Sequence, residues 1–262
     1  MDFPSLHQHI DSLLEQERCV DAQALIDEQL THPRYSKLTV PARTHLSLWE
    51  EKWQLQLLTC KSLTIQFKPN EAVFLADKVL EESRLLEEFI SKIQTMGMAA
   101  KVHPLLLLGH IQECQQLIKE VEGRLENLNT LSQAETTGIR AGLGTVKGYL
   151  SDVFGHPELA LAQLQNSRKL LRQNGDNEWS VGVSLIIEGQ VYIDAKQYSK
   201  GVELLQKCAE YNKSHGLKYN YAYSLIFLAY YLCQVGELVL AEEYGLRALK
   251  SSEERGSKLM VA

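Results

Sequence analysis

The sequence predicts an all-α protein, an α-solenoid of stacked antiparallel helix pairs. Three observations carry that prediction. The segments that open "GHPELALAQLQNSRKLL" at Gly155, "KQYSKGVELLQKCAEY" at Lys196 and "GELVLAEEYGLRALKSS" at Gly236 stand 41 and 40 residues apart. That is the period of a two-helix repeat, and one such pair cannot bury its apolar face alone, so neighbours must stack. Small residues recur in phase: Ala160, Gly201 and Ala241 five residues after those openings, Gly148, Gly189 and Ala229 seven before. A lone Gly costs a helix roughly 1 kcal/mol against Ala, so coincident small positions mark close helix approach. Finally, strand-type alternation is scarce, and long runs of Leu, Glu, Gln, Ala and Lys favour helix.

Taken in order, Phe3 to Leu14 forms a first helix, with Leu6, Ile10, Leu13 and Leu14 as its apolar stripe. Arg18 to Leu30 is its partner, with Ala22, Leu25, Ile26 and Leu30 on one side. "THPRYSKLTVP" (31–41) is a connector holding two prolines, each biasing its predecessor out of the helical region. Ala42 to about Thr64 is a longer helix striped by Leu46, Trp49, Trp53 and Leu57; the two tryptophans read as a packed core pair. Pro69 breaks that helix, and Glu71 to Thr95 reads as one long helix with apolar residues on two sides. Met98 to Leu108 is a short apolar helix interrupted at Pro104, and Glu113 to Leu128 completes its hairpin. Gly109 and Cys114, like Phe67 and Ala72, repeat the five-residue offset, at steps of 46 and 42 residues. Residues 1–131 therefore read as a divergent helical region with degenerate hairpins, and 132–256 as three clear repeats. Leu259, Met260 and Val261 stand where a further first helix begins, so 257–262 reads as the start of another repeat in a longer protein.

Composition limits the function classes. Hydrophobic residues make up 45%, which argues against disorder. The net charge is −6, and residues 1–134 hold 19 acidic against 13 basic side chains. No basic block points to direct nucleic-acid binding. The five cysteines are scattered with no C-x-x-C pair, as expected of free thiols in a reducing, cytoplasmic setting. No secretory leader and no membrane-length apolar run is visible. "GLGTVKG" (142–148) lacks the Walker spacing and lies in a predicted helix, where its glycines suit packing. His103 and His110 can share a helix face, but no ligand set completes around them. The expectation is a protein without catalytic residues, metal or cofactor.

The residues Gly148–Ser151–Ala160, Gly189–Tyr192–Gly201 and Ala229–Leu232–Ala241 carry a resemblance to the tetratricopeptide repeat, in its longer variety of about 40 residues. In that family a small residue of the first helix packs on a small residue of the second. The period here is about six residues too long, the early Trp is missing, and Gly245 stands where a bulky residue is expected. The resemblance is good for the C-terminal half. It implies a protein-interaction scaffold whose concave face, lined by first helices, holds a peptide or partner protein. The longer period resembles repeats in the sensor arms of larger signalling and transcription regulators, the alternative reading. By spacing from the small first-helix residues, Tyr149, Asp152, Gln190, Asp194, Tyr223, Tyr230 and Gln234 are the candidates for peptide contact. Tyrosine offers contact area with a hydrogen-bonding tip. In "KYNYAYSLIFLAYYL" (218–232), Tyr219, Tyr223, Phe227 and Tyr230 are read as an aromatic stripe. The helix with Leu238, Ala241, Tyr244 and Ala248 is expected to expose apolar surface, hence self-association through the C-terminal end.

Overall fold

A helix that ends in a left-handed residue can turn its chain back sharply while keeping its last carbonyls bonded. Among the described residues this occurs seven times, once between helix pairs at Gly216 and six times within a hairpin. In the hairpins Glu17, Phe67, Gly109, Gly155, Lys196 and Gly236 have positive φ, between 55° and 84°. After each, the next N–H donates back to a carbonyl of the preceding helix: Arg18 to Leu13, Lys68 to Leu63, His110 to Leu105, His156 to Ser151, Gln197 to Tyr192 and Glu237 to Leu232, at 2.8–3.0 Å. Five residues beyond each turn lies Ala22, Ala72, Cys114, Ala160, Gly201 or Ala241, buried in every hairpin except that Ala241 is half-buried.

This computed structural model describes residues 2–86, 91–173 and 178–253. Among them the only regular elements are helices. In order these are α1 (Phe3–Glu15), α2 (Cys19–Thr31), α3 (Pro33–Ser36), α4 (Leu46–Ile65), α5 (Pro69–Arg84), α6 (Ser91–Leu107), α7 (Ile111–Asn127), α8 (Gln133–Val153), α9 (Pro157–Gln173), α10 (Glu178–Asp194), α11 (Tyr198–Ser214), α12 (Lys218–Gln234) and α13 (Leu238–Glu253), with a 3-10 turn at Arg43–His45. The chain forms two compact units, Met1–Ile139 and Arg140–Ala262. In each, consecutive helices pack on one another, the arrangement of a helical-repeat solenoid. No helix of the described residues is long and apolar enough to cross a membrane.

In the first unit α4 is central, packing on α1, α2, α5 and α6. Trp49 and Trp53 are fully buried, with ring centroids 5.2 Å apart, and share a core with Leu57, Cys60, Ala76, Val79 and Ile93. The Trp53 indole N–H donates to Glu82 at 3.1 Å. Lys61 bridges α4 to α1 through Asp11 (2.6 Å) and Glu15 (3.7 Å), and Lys101 bridges α6 to Asp77 of α5 (3.0 Å) and Glu113 of α7 (2.8 Å).

Three element readings need correction. The continuous helix read over Glu71–Thr95 ends at Arg84, and α6 starts afresh at Ser91. Packing overrides helix propensity here: α6 folds back onto α5, and Gln94 donates to the Leu80 carbonyl (3.0 Å) and to Ser83, taking up the end of α5. Pro104 does not interrupt its helix; α6 runs through it to Leu107, with Pro104 buried. The 31–41 connector contains the one-turn helix α3, whose Tyr35 O–H donates to Glu51 of α4 at 2.6 Å. The expected start of a further repeat at 257–262 lies outside the described residues.

In the second unit the small residues make two packed layers rather than one. A Cβ built on Gly148 would lie 2.7 Å from Leu164 Cγ, and one on Gly189 would lie 2.6 Å from Leu205 Cγ. Each glycine therefore makes room chiefly for a leucine four residues past the small second-helix position. The small-on-small contact expected from the resemblance is also there, as an approach of 3.5 Å between a Gly189 Cβ and the Gly201 carbonyl oxygen. In the third pair Ala229 and Gly245 hold these two places, and a Cβ built on Gly245 would lie 3.9 Å from that of Ala229, an ordinary contact. The second layer lies seven residues away. Ser167 Oγ donates to the Ala141 carbonyl at 2.7 Å, and Cys208 Sγ to that of Gly182 at 3.6 Å. Ala248 and Ala222, both buried, hold the matching places in the third pair.

Candidate functional site

The first helices of the second unit, α8 from Arg140 on, α10 and α12, bring together a group of acids and tyrosines. Asp152 is half-buried and Asp194 exposed, and the two carboxylates lie within hydrogen-bonding reach of each other. Each sits in the last turn of its helix, the negative end of the helix dipole, where a carboxylate is disfavoured. Burial, and then the Asp194 charge and hydrogen bond, push Asp152 from an ordinary value of 3.8 up to about 7. Two carboxylates this close share a proton near neutrality instead of both ionising.

Tyr231 lies close to the pair and links it to further tyrosines. Tyr231 is 5% exposed, and its hydroxyl is pushed well above the usual range by burial first, then by Asp194, Tyr230, Asp152 and Tyr149. Tyr223 is raised by burial and then by Tyr149. The stripe read from sequence is corrected by one residue. Along α12, Tyr223 meets Phe227 edge-on at 4.8 Å, and Phe227 stacks on Tyr231 at 5.8 Å. Tyr230 points out, 57% exposed, with its ring edge-on to Tyr231 at 5.0 Å. Spacing alone does not separate Tyr230 from Tyr231, because a step of three and a step of four both fit a helix face. The signal for Tyr231 was the unbroken four-residue spacing from Tyr223 through Phe227.

The predicted residues thus separate. Tyr149, Asp152, Asp194, Tyr223 and Tyr230 belong to one cluster, which Tyr231 joins. Gln190 is half-buried and Gln234 exposed on the same helices, with no described contact to the acid pair. Separately, Glu188 of α10 is paired with Arg168 of α9, at 9% and 12% side-chain exposure, and Arg168 also donates to Ser184 at 3.1 Å. A basic hollow of about 440 Å³ runs along α9, lined by Gln165, Arg168, Lys169, Arg172 and Gln173. It draws on one helix and has no second element to orient a ligand. Among the described residues no three His, Cys, Asp or Glu side chains converge as a metal requires. The Trp49–Trp53 pair lies in the core, as its spacing led us to expect. His103 is held by burial at about 4.

Fold and face define a helical-repeat protein with an acidic, tyrosine-walled patch on its first helices. No family model matches the chain, and no curated protein matches it. Among solved structures it is similar to a Rap protein complexed with competence and sporulation factor. That likeness has 12% identity and a TM-score of 0.62, and spans 99% of this chain and 79% of the other. It is also similar to the apo form of RapI, with 11% identity and a TM-score of 0.54, over 98% of this chain and 67% of the other. At these identities the likeness is one of fold.

Proposed function

We propose that the chain is a non-enzymatic interaction module that binds an extended peptide, or a peptide-like segment of a partner protein, across α8, α10 and α12. The observation that carries this reading is the Asp152–Asp194 pair beside Tyr231, with Tyr149, Tyr223 and Tyr230 in the same cluster. A pair of carboxylates held together is relieved by a positive charge, so the favoured ligand carries a lysine, an arginine or a free amino terminus. The tyrosines supply flat contact area and hydroxyls for its backbone. A protein of similar fold, the Rap protein above, was solved with competence and sporulation factor bound, which supports a binding role for such a helix array. The five free thiols suit the cytoplasmic setting proposed for it.

The existence of both a complexed and an apo form among the fold neighbours favours a second reading, a ligand-sensing arm of a larger signalling or transcription regulator. The two readings share the site. A peptide library titrated by calorimetry tests it, read together with an Asp152→Asn/Asp194→Asn variant. The expected result is preference for cationic peptides and a loss of about tenfold or more in the variant. Replacing Tyr149, Gln190 and Tyr230 together by Ala should weaken the same peptides while the helical spectrum is kept. Tight binding that ignores all five substitutions would place the site elsewhere.

A further inference from the structure

The first helices of the second unit are graded in polarity along their length. Tyr149 of α8, Gln190 of α10 and Tyr230 of α12 stand at one phase of the repeat. Four residues on, toward the turns, lie Val153, Asp194 and Gln234; three residues back lie Val146, Ile187 and Phe227. Steps of three and four keep each helix's set on one face. Along α10 the stripe reads Ile187, Gln190, Asp194: apolar, then an amide, then a carboxylate. Ile187 and Gln190 are half-buried and Asp194 is exposed. α10 belongs to the middle pair of this unit and packs on α9, α11 and α12. The stripe is thus an inner face with a helix pair on either side.

α10 is the floor of this face. Tyr149 of α8 is close enough to Tyr223 and Tyr231 of α12 for the hydroxyls to act on one another, so side chains of the two outer helices reach toward each other over α10. Asp152 of α8 meets Asp194 in the same way. Ile187 rests on the core formed by Ala160, Leu164 and Val191, and Phe227 on that of Leu225, Leu228 and Tyr231. Neither is fully covered: both are half-buried.

The geometry of an extended chain matches such a grading. Its successive side chains point to opposite sides. A peptide crossing the helices at the level of Tyr149 and Gln190 therefore turns one side chain toward the turns and the next toward the helix starts. At about 1.5 Å per residue along α10, Asp194 lies about 6 Å from that level in one direction and Ile187 about 4.5 Å in the other. Each is within reach of one side chain, and the Tyr149 hydroxyl and Gln190 amide are left for the ligand backbone. Charge fixes which way round the ligand lies: the acid pair takes the cation, and the row of Val146, Ile187 and Phe227 holds no charge to pair with a second one. Building on the peptide-binding reading above, we propose that the ligand's cationic residue is directly adjacent in sequence to a large aliphatic or aromatic residue, which packs on Ile187 and Phe227.

Calorimetry on the full chain with a set of acetylated, amidated hexapeptides of glycine and serine tests this. The set carries lysine followed by leucine, leucine followed by lysine, lysine followed by serine, and serine followed by leucine. The better of the two lysine–leucine peptides should bind about tenfold or more tightly than the lysine–serine peptide. Ile187→Ser should remove that advantage and leave the lysine–serine affinity unchanged. Asp152→Asn/Asp194→Asn should remove the contribution of the lysine and keep that of the leucine. The comparison of peptides needs no variant, so it decides the matter even where Ile187→Ser fails to fold. Equal affinity with leucine and with serine beside a lysine that still needs the acid pair would overturn this inference and leave the proposed function standing. A leucine advantage untouched by Ile187→Ser would overturn it too, since the apolar contact would lie elsewhere. Binding that ignores the acid pair would instead overturn the peptide-binding reading, and this inference with it.

Discussion

Gly189 and Leu205 fill one space between them. A methyl group on Gly189 would fall 2.6 Å from Leu205 Cγ and 2.8 Å from its Cδ2, closer than carbon atoms pack. Gly148 and Leu164 repeat the arrangement, and Ala229 with Gly245 does not. Gly245 stands where the other pairs have a leucine, and a Cβ there would meet Ala229 at an ordinary 3.9 Å, so the third pair fills this position with fewer atoms. Gly189→Ala should destabilise by about 1–3 kcal/mol through overpacking. Combined with Leu205→Ala it should cost less than the sum of the two single changes, since each relieves the other. Denaturant midpoints of the four proteins of this cycle check the claim; strict additivity would mean the two side chains do not compete. Gly189→Leu, with more atoms to place, should be worse than Gly189→Ala.

At the scale of elements, the turn is what makes a hairpin of two helices. Gly109, Gly155 and Gly236 take the left-handed conformation without a Cβ penalty, but Glu17, Phe67 and Lys196 take it with one, at φ of 55°, 56° and 61°. The left-handed region costs a non-glycine residue roughly 1 kcal/mol or more. Lys196→Gly should therefore stabilise the protein by about 1 kcal/mol, reduced by the greater freedom of glycine in the unfolded chain. A rise in melting temperature is expected; a fall would mean that the Lys196 side chain contributes more than its backbone strain costs. Sequence pattern found three of these six turns through glycine, and Phe67 and Lys196 through the small residue five positions on. Glu17 bears the same mark in Ala22, but no glycine and no clear repeat step accompanies it there. The break between α5 and α6 was invisible for a related reason. The chain from Glu81 to Lys92 favours helix throughout, and only the burial of Ile93 beside Ala76 and Val79 decides that it turns.

For the molecule as a whole, the acid pair links protons to both stability and binding. Asp152 is raised from 3.8 to about 7, so between about pH 4 and 7 the folded state holds a proton that the unfolded state has released. Stability from this group is present below about pH 4 and is lost as pH rises through about 7, opposite to a salt-bridged carboxylate. Asp194→Asn removes the like charge, although burial, the larger cause, stays. The variant should lose less stability than the parent between pH 5 and 8, measured by denaturant midpoints at each pH. A cationic peptide should show the reverse trend, binding more tightly as pH rises through neutrality and the shared proton leaves. An equal pH slope in parent and variant would show that the two carboxylates do not interact.

The sequence by itself determined the helices, their pairing in the C-terminal half and the positions where backbones approach. These follow from local facts: helical spacing of apolar residues, and small side chains recurring at a fixed step. It also named Tyr149, Asp152, Asp194, Tyr223 and Tyr230 as one face, because residues at the same phase of successive first helices must lie side by side. What it could not contain is the meeting of Asp152 with Asp194. Their positions differ by 42 residues, one more than the repeat step between their helices, so register alone places Ile193 beside Asp152. Tertiary structure also decided that Tyr231 rather than Tyr230 packs beside Phe227, and that Leu246 rather than Tyr244 faces out. A rotation of α12 or α13 by a fraction of a turn exchanges such neighbours. That rotation is set by how the side chains of adjacent helices fit together, a property of packed surfaces that no single stretch of sequence carries.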